Sequence, residues 1–167
     1  AVSADVPILG LCLGGQLLAA ALGGRVELSP ITEVGLVYVE RTEAGLTDRL
    51  VSQLQAPGDR IPATQWHQDH ITELPDGAVV LLTNPACRVQ AFRVGEHAYG
   101  LQMHPEVDAD VFDDWSTEQD DALERSGRTG AQAAAEVRAE QGALIAVWRP
   151  MILGWAELVW AYATDRR

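Results

Sequence analysis

The sequence predicts an α/β fold in which a mostly parallel open sheet is flanked by helices. Three observations carry this expectation. An apolar run, "VPILGL" (Val6 to Leu11), leads through glycines directly into a helical pattern. Short β-branched and aromatic runs recur through the first two thirds of the chain, and the last third is Ala-rich with helical periodicity.

Val6 to Leu11 suits a strand buried on both faces, as parallel strands between helical layers are. Gln16 to Leu22 reads as helix, with Gly23 and Gly24 as its C-terminal stop. Val34 to Val39 is a second strand, Leu46 to Leu54 a short helix or turn, and Ala56 to Ile61 a Pro/Gly loop. Further strands are expected at Ala78 to Thr83 and Val89 to Val94, with "NPAC" turning between them, and at His97 to His104, ending at Pro105. "DADVFDDW" reads as a short helix with acidic residues in its first turn, where the helix dipole favours them. "STEQDDALERSGRTGAQ", the most polar stretch, is the expected flexible connection. Ala131 to Val147 should be helical and Pro150 should break it, after which Met151, Trp155, Val159 and Tyr162 recur on one helical face.

A length of 167 residues suggests one domain with a sizeable core. Twelve arginines stand against 24 acidic residues, a formal charge of -12 that repels a phosphate backbone or an anionic lipid surface. Nucleic acid and membrane are therefore not expected partners. No uninterrupted apolar run of about 18 residues and no secretory pattern at the start is present, so a cytoplasmic protein is expected. Cys12 and Cys87 are then expected as free thiols, and with no CxxC pair a thiolate metal site has no support.

Cys12 stands between glycines in "LGLCLGGQ". A nucleophile between a strand and a helix must stand clear of the sheet on a tight turn, which small neighbours such as Gly10, Gly14 and Gly15 permit. The following helix would point its N-terminal amides at the sulfur and favour its thiolate. A lone cysteine is otherwise commonly a small buried hydrophobe, and a glycine-rich strand-to-helix turn can bind phosphate, although no GxGxxG or Walker lysine is present. A thiolate needs a base. Among His67, His70, His97 and His104, the last lies two residues before Glu106. In extended backbone, which Pro105 favours, both side chains point to one face, so the carboxylate can orient the imidazole toward the sulfur. The pair also lies at a strand end, where active-site residues gather in open α/β sheets.

These residues resemble the class I glutamine amidotransferases, the Cys-His-Glu triad type. "GLCLGGQ" matches the nucleophile motif G-x-C-x-G-x-Q, and "MHPE" (Met103 to Glu106) matches the histidine-glutamate motif. "EVGLVYVERTEAG" and "QWHQDH" are most similar to stand-alone members related to the GMP synthase glutaminase domain. The resemblance, over about residues 6 to 115, implies a flavodoxin-like sheet and hydrolysis of the glutamine side-chain amide to glutamate and ammonia, without metal or cofactor. It implies Cys12 as nucleophile, His104 as proton carrier and Glu106 as its orienting carboxylate. It further implies an oxyanion contact from the Leu13 amide, substrate binding by Gln16, close approach at Gly14, and a "WHQD" loop closing over the bound amino acid through Trp66, Gln68 and Asp69. Gln68 stands where relatives carry a small residue. His67 is read as a supporting residue and Cys87 as structural. L-glutamine or another γ-glutamyl compound is the implied substrate and a synthase the implied receiver of ammonia.

The family carries strands and a second oxyanion loop before its nucleophile, so residues 1–167 are expected to form a single amidotransferase-like domain incomplete at the N-terminus, with Ala1 to Ala4 as the tail of a helix. Removal of an oxyanion donor costs on the order of a hundredfold in rate, and absent strands expose a sheet edge. Were residues 1–167 the whole protein, low solubility, dimerisation through that edge (a homo-oligomer) or weak activity would follow. A γ-glutamyl-conjugate hydrolase, a truncated interaction module without chemistry, and a cysteine hydrolase acting on peptides or aldehydes are the competing readings. Gln16 and the HxE pair argue against the last.

Overall fold

A computed structural model describes residues 2–117 and 121–165. Six strands form one sheet: β1 (Ile8–Leu11), β2 (Arg25–Arg41), β3 (Ile61–Glu73), β4 (Ala78–Thr83), β5 (Ala91–Val94) and β6 (Ala98–Leu101), in the order β1-β6-β5-β4-β2-β3. The helices are α1 (Leu13–Ala21), α2 (Glu43–Thr47), α3 (Ala109–Thr117), α4 (Asp121–Ser126) and α5 (Gly130–Asp165). Val2–Ala4 form a 3₁₀ turn where the sequence suggests a helix tail.

The α/β class is as expected, but the sheet is mixed rather than mostly parallel. β1 pairs with β6 in parallel, and the other four pairings are antiparallel. Connection length explains this. Only three residues join β5 to β6, turning at Gly95 with φ of +60°, whereas a parallel crossover needs a dozen or more. The helical layers that suggested parallel strands are nevertheless present. Leu18 and Ala19 of α1 pack on one face with Ile71, Val89, Phe92 and Ala98. On the other face Tyr99, Leu101 and Met103 meet Val147, Met151 and Leu158 of α5, and Phe112 of α3. β6, buried at all four positions, is the strand on which both layers close.

Three further expectations are corrected. "QWHQDH" is not a loop: it lies in β3, paired with β2 through Trp66 to Val34, His67 to Glu33 and Asp69 to Leu28. The resemblance implied a loop at its "WHQD" portion, yet the segment is extended in β3, with Gln65 and His67 buried by hydrogen bonds to Gln90 and Glu33. Part of the polar connection is helix α4, whose Arg125 donates to the Ser29 carbonyl, while residues 118–120 lie outside the described residues. Pro150 does not end the C-terminal helix but sits inside α5. A proline removes one helical hydrogen bond and crowds the preceding turn, but Val147 and Trp148 before it and Met151 and Leu158 after it are all seated in the core, which holds the two halves in line. By length and composition alone α5 could cross a membrane; here its inner face is a layer of the domain.

Trp148 ties α5 to β3 by donating Nε1–H to the Pro62 carbonyl at 2.7 Å in the core. Trp148→Phe removes that donor and leaves a small void where the larger indole stood, so a loss of about 1–3 kcal/mol or more is expected in urea unfolding with an unchanged m-value.

Candidate active site

The backbone at Cys12 is held at φ 46° and ψ -108°, a conformation L-residues seldom adopt. Two hydrogen bonds hold it there: Cys12 N–H donates to the Leu101 carbonyl of β6 at 2.8 Å, and the Cys12 carbonyl accepts from Gln16 N–H at 3.0 Å as the first bond of α1. The turn closes so tightly that a Cβ at Gly10 would lie 2.5 Å from the Gly14 backbone, and one at Gly15 would lie 2.9 Å from the Leu101 carbonyl oxygen. Gly14, by contrast, faces open space, so room for an approaching ligand remains there. Cys12 is half-buried, beyond the end of β1 and at the start of α1, with the amide of the exposed residue Leu13 beside it at the helix N-terminus.

His104 follows β6, and its N–H donates to the Thr64 carbonyl of β3 at 2.9 Å. Nδ1 lies 2.7 Å from Glu106 Oε1, leaving Nε2 for the Cys12 sulfur. Burial works against the imidazolium, but hydrogen bonds to Cys12 and Glu106 and the negative charge on both outweigh it, and the pKa is pushed up to about 9. The imidazolium form of His104 is therefore favoured at neutral pH beside the Cys12 sulfur. The Trp115 ring of α3 stands 5.0 Å from the His104 ring, nearly edge-on, and also packs against Trp66.

The remaining residues expected from the motifs converge here in more structural roles. Gln16 is buried and its Nε2 donates to the Asp69 carbonyl at 2.9 Å and to Gln102 Oε1 at 3.2 Å, so only its Oε1 is left to offer a substrate. Trp66 presents its carbonyl to Cys12 Sγ at 3.8 Å. Asp69 supplies that carbonyl to Gln16 and a second contact to His67 Nδ1 at 2.9 Å, while Gln68 sits half-buried opposite the irregularity in β2 between Leu28 and Glu33. His67, expected as a supporting residue, lies with Nε2 3.1 Å from Glu33 Oε2. Cys87 is buried at the base of this cluster, its thiol pushed up to about 12 by burial and by the Glu33 charge.

Sequence reading missed Gln102, Glu33, Gln90 and Trp115. Gln102 donates from Nε2 to Cys12 Sγ at 3.6 Å, and Gln90 and Asn84 donate to the two Glu33 oxygens at 2.7 and 2.6 Å. Gln102 alone left a signal: it directly precedes the MHPE motif in β6's continuation. The others come from β2, the segment just before β5 and α3, and meet only in three dimensions. Among the described residues no three His, Cys, Asp or Glu side chains converge as metal ligands would.

A family model, Glutamine amidotransferase class-I, matches residues 1–119, which include the Cys12 elbow and the His104–Glu106 pair. The chain belongs to the class I glutamine amidotransferase family. Among its relatives, a glutamine amidotransferase-like protein, YfeJ, of Salmonella typhimurium is 33% identical over 140 residues, covering 83% of this chain and 57% of that protein. The glutamine-hydrolyzing GMP synthase of Halobacterium salinarum has a subunit that is 41% identical over 104 residues, 62% of this chain and 54% of that one. The chain thus spans little more than half the length of these curated relatives. Of solved structures, a glutamine amidotransferase from Thermotoga maritima superposes with a TM-score of 0.77 at 29% identity, over 93% of this chain and 65% of that one. One from Methylobacillus flagellatus gives 0.78 at 27% identity, over 94% and 65%.

Two thiols in such different surroundings should react differently. Iodoacetamide at neutral pH is expected to modify Cys12 in a fast phase that Cys12→Ser abolishes, leaving Cys87 for the denatured protein, as read by mass spectrometry. Gln102→Leu, which removes the amide donor to the sulfur, should slow that phase several-fold. Equal rates at the two cysteines would contradict this account of the amidotransferase elbow.

Proposed function

We propose that this domain hydrolyses the side-chain amide of L-glutamine to glutamate and ammonia through a Cys12 thioester, and that the ammonia is passed to a partner synthase. The observation that carries this reading is His104, bonded through Nδ1 to Glu106 at 2.7 Å with its Nε2 left for the sulfur of the strained Cys12.

In the proposed cycle the Cys12 thiolate attacks the amide carbon, forming the C–S bond, and the developing oxyanion takes a hydrogen bond from the Leu13 N–H at the start of α1. As the C–N bond breaks, His104 gives its Nε2 proton to the leaving nitrogen, which departs as ammonia. Neutral His104 then takes a proton from water as the water oxygen attacks the thioester. Collapse of that second tetrahedral intermediate breaks the C–S bond and returns the thiolate beside an imidazolium. Glu106 holds the imidazole in the tautomer and orientation both steps need, and Trp115 packs beside the ring. Gly14, Gln16 Oε1, Trp66, Gln68 and Asp69 are the proposed contacts for the amino-acid end of the substrate. The synthase partner is supported by relatives named as subunits of glutamine-hydrolyzing GMP synthases. A reducing cytoplasm is the proposed compartment, since a thiol nucleophile must stay reduced to act.

Ammonia release from glutamine, measured with the full-length protein, is the expected activity, and Cys12→Ser should reduce it to the buffer rate; equal release by both proteins would refute the thioester route. Because His104 keeps its proton up to a pKa of about 9, kcat/KM should fall as pH rises through about 9. The stability supplied by the His104 contacts is likewise complete below the ordinary pKa of 6.5 and lost as pH rises through about 9. Glu106→Gln removes one of the carboxylate contributions and should move the alkaline limb to lower pH.

A further inference from the structure

The face of α5 turned away from the sheet is apolar where a solvated helix would be charged. Ile145 is 51% exposed, Leu153 53% and Trp160 73%, and Gly142, Ala146 and Ala156 are exposed among them. From residue 142 to residue 164 the only charged side chains are Arg149 and Glu157. Both are exposed, and among the described residues neither makes an ion pair. At 3.6 residues per turn, Gly142, Ala146, Arg149, Leu153, Glu157 and Trp160 fall on one side of the helix, opposite the buried Leu144, Val147, Met151 and Leu158.

The arrangement of these residues is symmetric about Leu153. Arg149 lies four residues before it and Glu157 four after; Ala146 lies seven before and Trp160 seven after. Two α5 helices laid antiparallel across a two-fold axis at Leu153 bring Arg149 level with the Glu157 of a second copy, about 6 Å along the helix on either side of the axis. The large Trp160 ring then meets the small Ala146 of the other copy, large against small, as in packed helix seams. A parallel pairing would set Arg149 against Arg149 and Glu157 against Glu157, so the two charges select the antiparallel register. We propose that the outer face of α5 is a homodimer interface, occupied by a second copy of this chain with the two helices antiparallel and crossing at Leu153. The seam, centred on Leu153, lies opposite the sheet, with Ile145 toward one end bordering the cavity that His104 and Glu106 line, and it stands whether or not the chain hydrolyses glutamine.

Sedimentation equilibrium of the full chain tests the interface. A monomer–dimer equilibrium is expected, and Arg149→Glu and Glu157→Arg should each weaken the dimer about tenfold or more, since each change sets like charges together at two symmetric places. The double variant, with both charges exchanged, should restore the dimer. In a Cys12→Ser background, Leu153→Cys should form an interchain disulfide on mild oxidation, because the two copies of position 153 meet on the axis. A chain that stays monomeric at every concentration, including one that instead binds lipid vesicles, overturns the proposal. So does a dimer indifferent to the single exchanges, a double variant that fails to recover, or a Leu153→Cys variant that does not cross-link.

Discussion

The hydrogen bond from Cys12 N–H to the Leu101 carbonyl is the constraint on which the site depends. It joins the residue after β1 to the last paired residue of β6 and helps fix the cysteine at a positive φ that its side chain disfavours. Everything around it answers to that conformation. Gly10 and Gly15 are there because the turn leaves no room for a Cβ, and α1 begins at Leu13 because the Cys12 carbonyl already accepts its first helical bond. The same β6 that holds Cys12 runs on through Gln102 to His104, so one strand and its continuation carry the elbow's anchor, the donor to the sulfur and the imidazole bonded to Glu106.

A second layer of order comes from polar groups that ordinarily avoid a core. The Glu33 carboxylate is buried at the centre of bonds from His67, Asn84 and Gln90, and Gln16, Gln65 and Gln102 extend the chain of contacts toward Cys12. A buried carboxylate bonded by three partners is tolerated, whereas the loss of one partner would leave part of its bonding capacity unmet. This network binds the long β2–β3 pair to the central strands, where the direct β2–β4 ladder is only two residues long. It thereby sets where Trp66 and Asp69 stand against the elbow. Directional bonds among polar side chains position a carbonyl more sharply than apolar packing would, which suits a site whose parts come from opposite ends of the sheet.

The outer face of α5 shows the opposite situation: apolar surface with little polar cover. Its inner face is fully used by the sheet, and Pro150 is accommodated because core contacts flank it on both sides. Two isolated charges of opposite sign on such a surface are informative because so little else there discriminates one orientation from another.

Much of this protein is local and therefore legible in its sequence. Glycine spacing around Cys12, the helix after it, and the extended His104–Pro105–Glu106 segment are each decided by backbone sterics within a few residues, and they sufficed to point to the family. Strand direction, the inclusion of "QWHQDH" in β3, the unbroken course of α5 through Pro150, and the gathering of Gln102, Glu33 and Trp115 were decided only by the tertiary structure. Those outcomes turn on loop closure, core contacts and hydrogen bonds between residues far apart in the chain, and no local propensity carries that information.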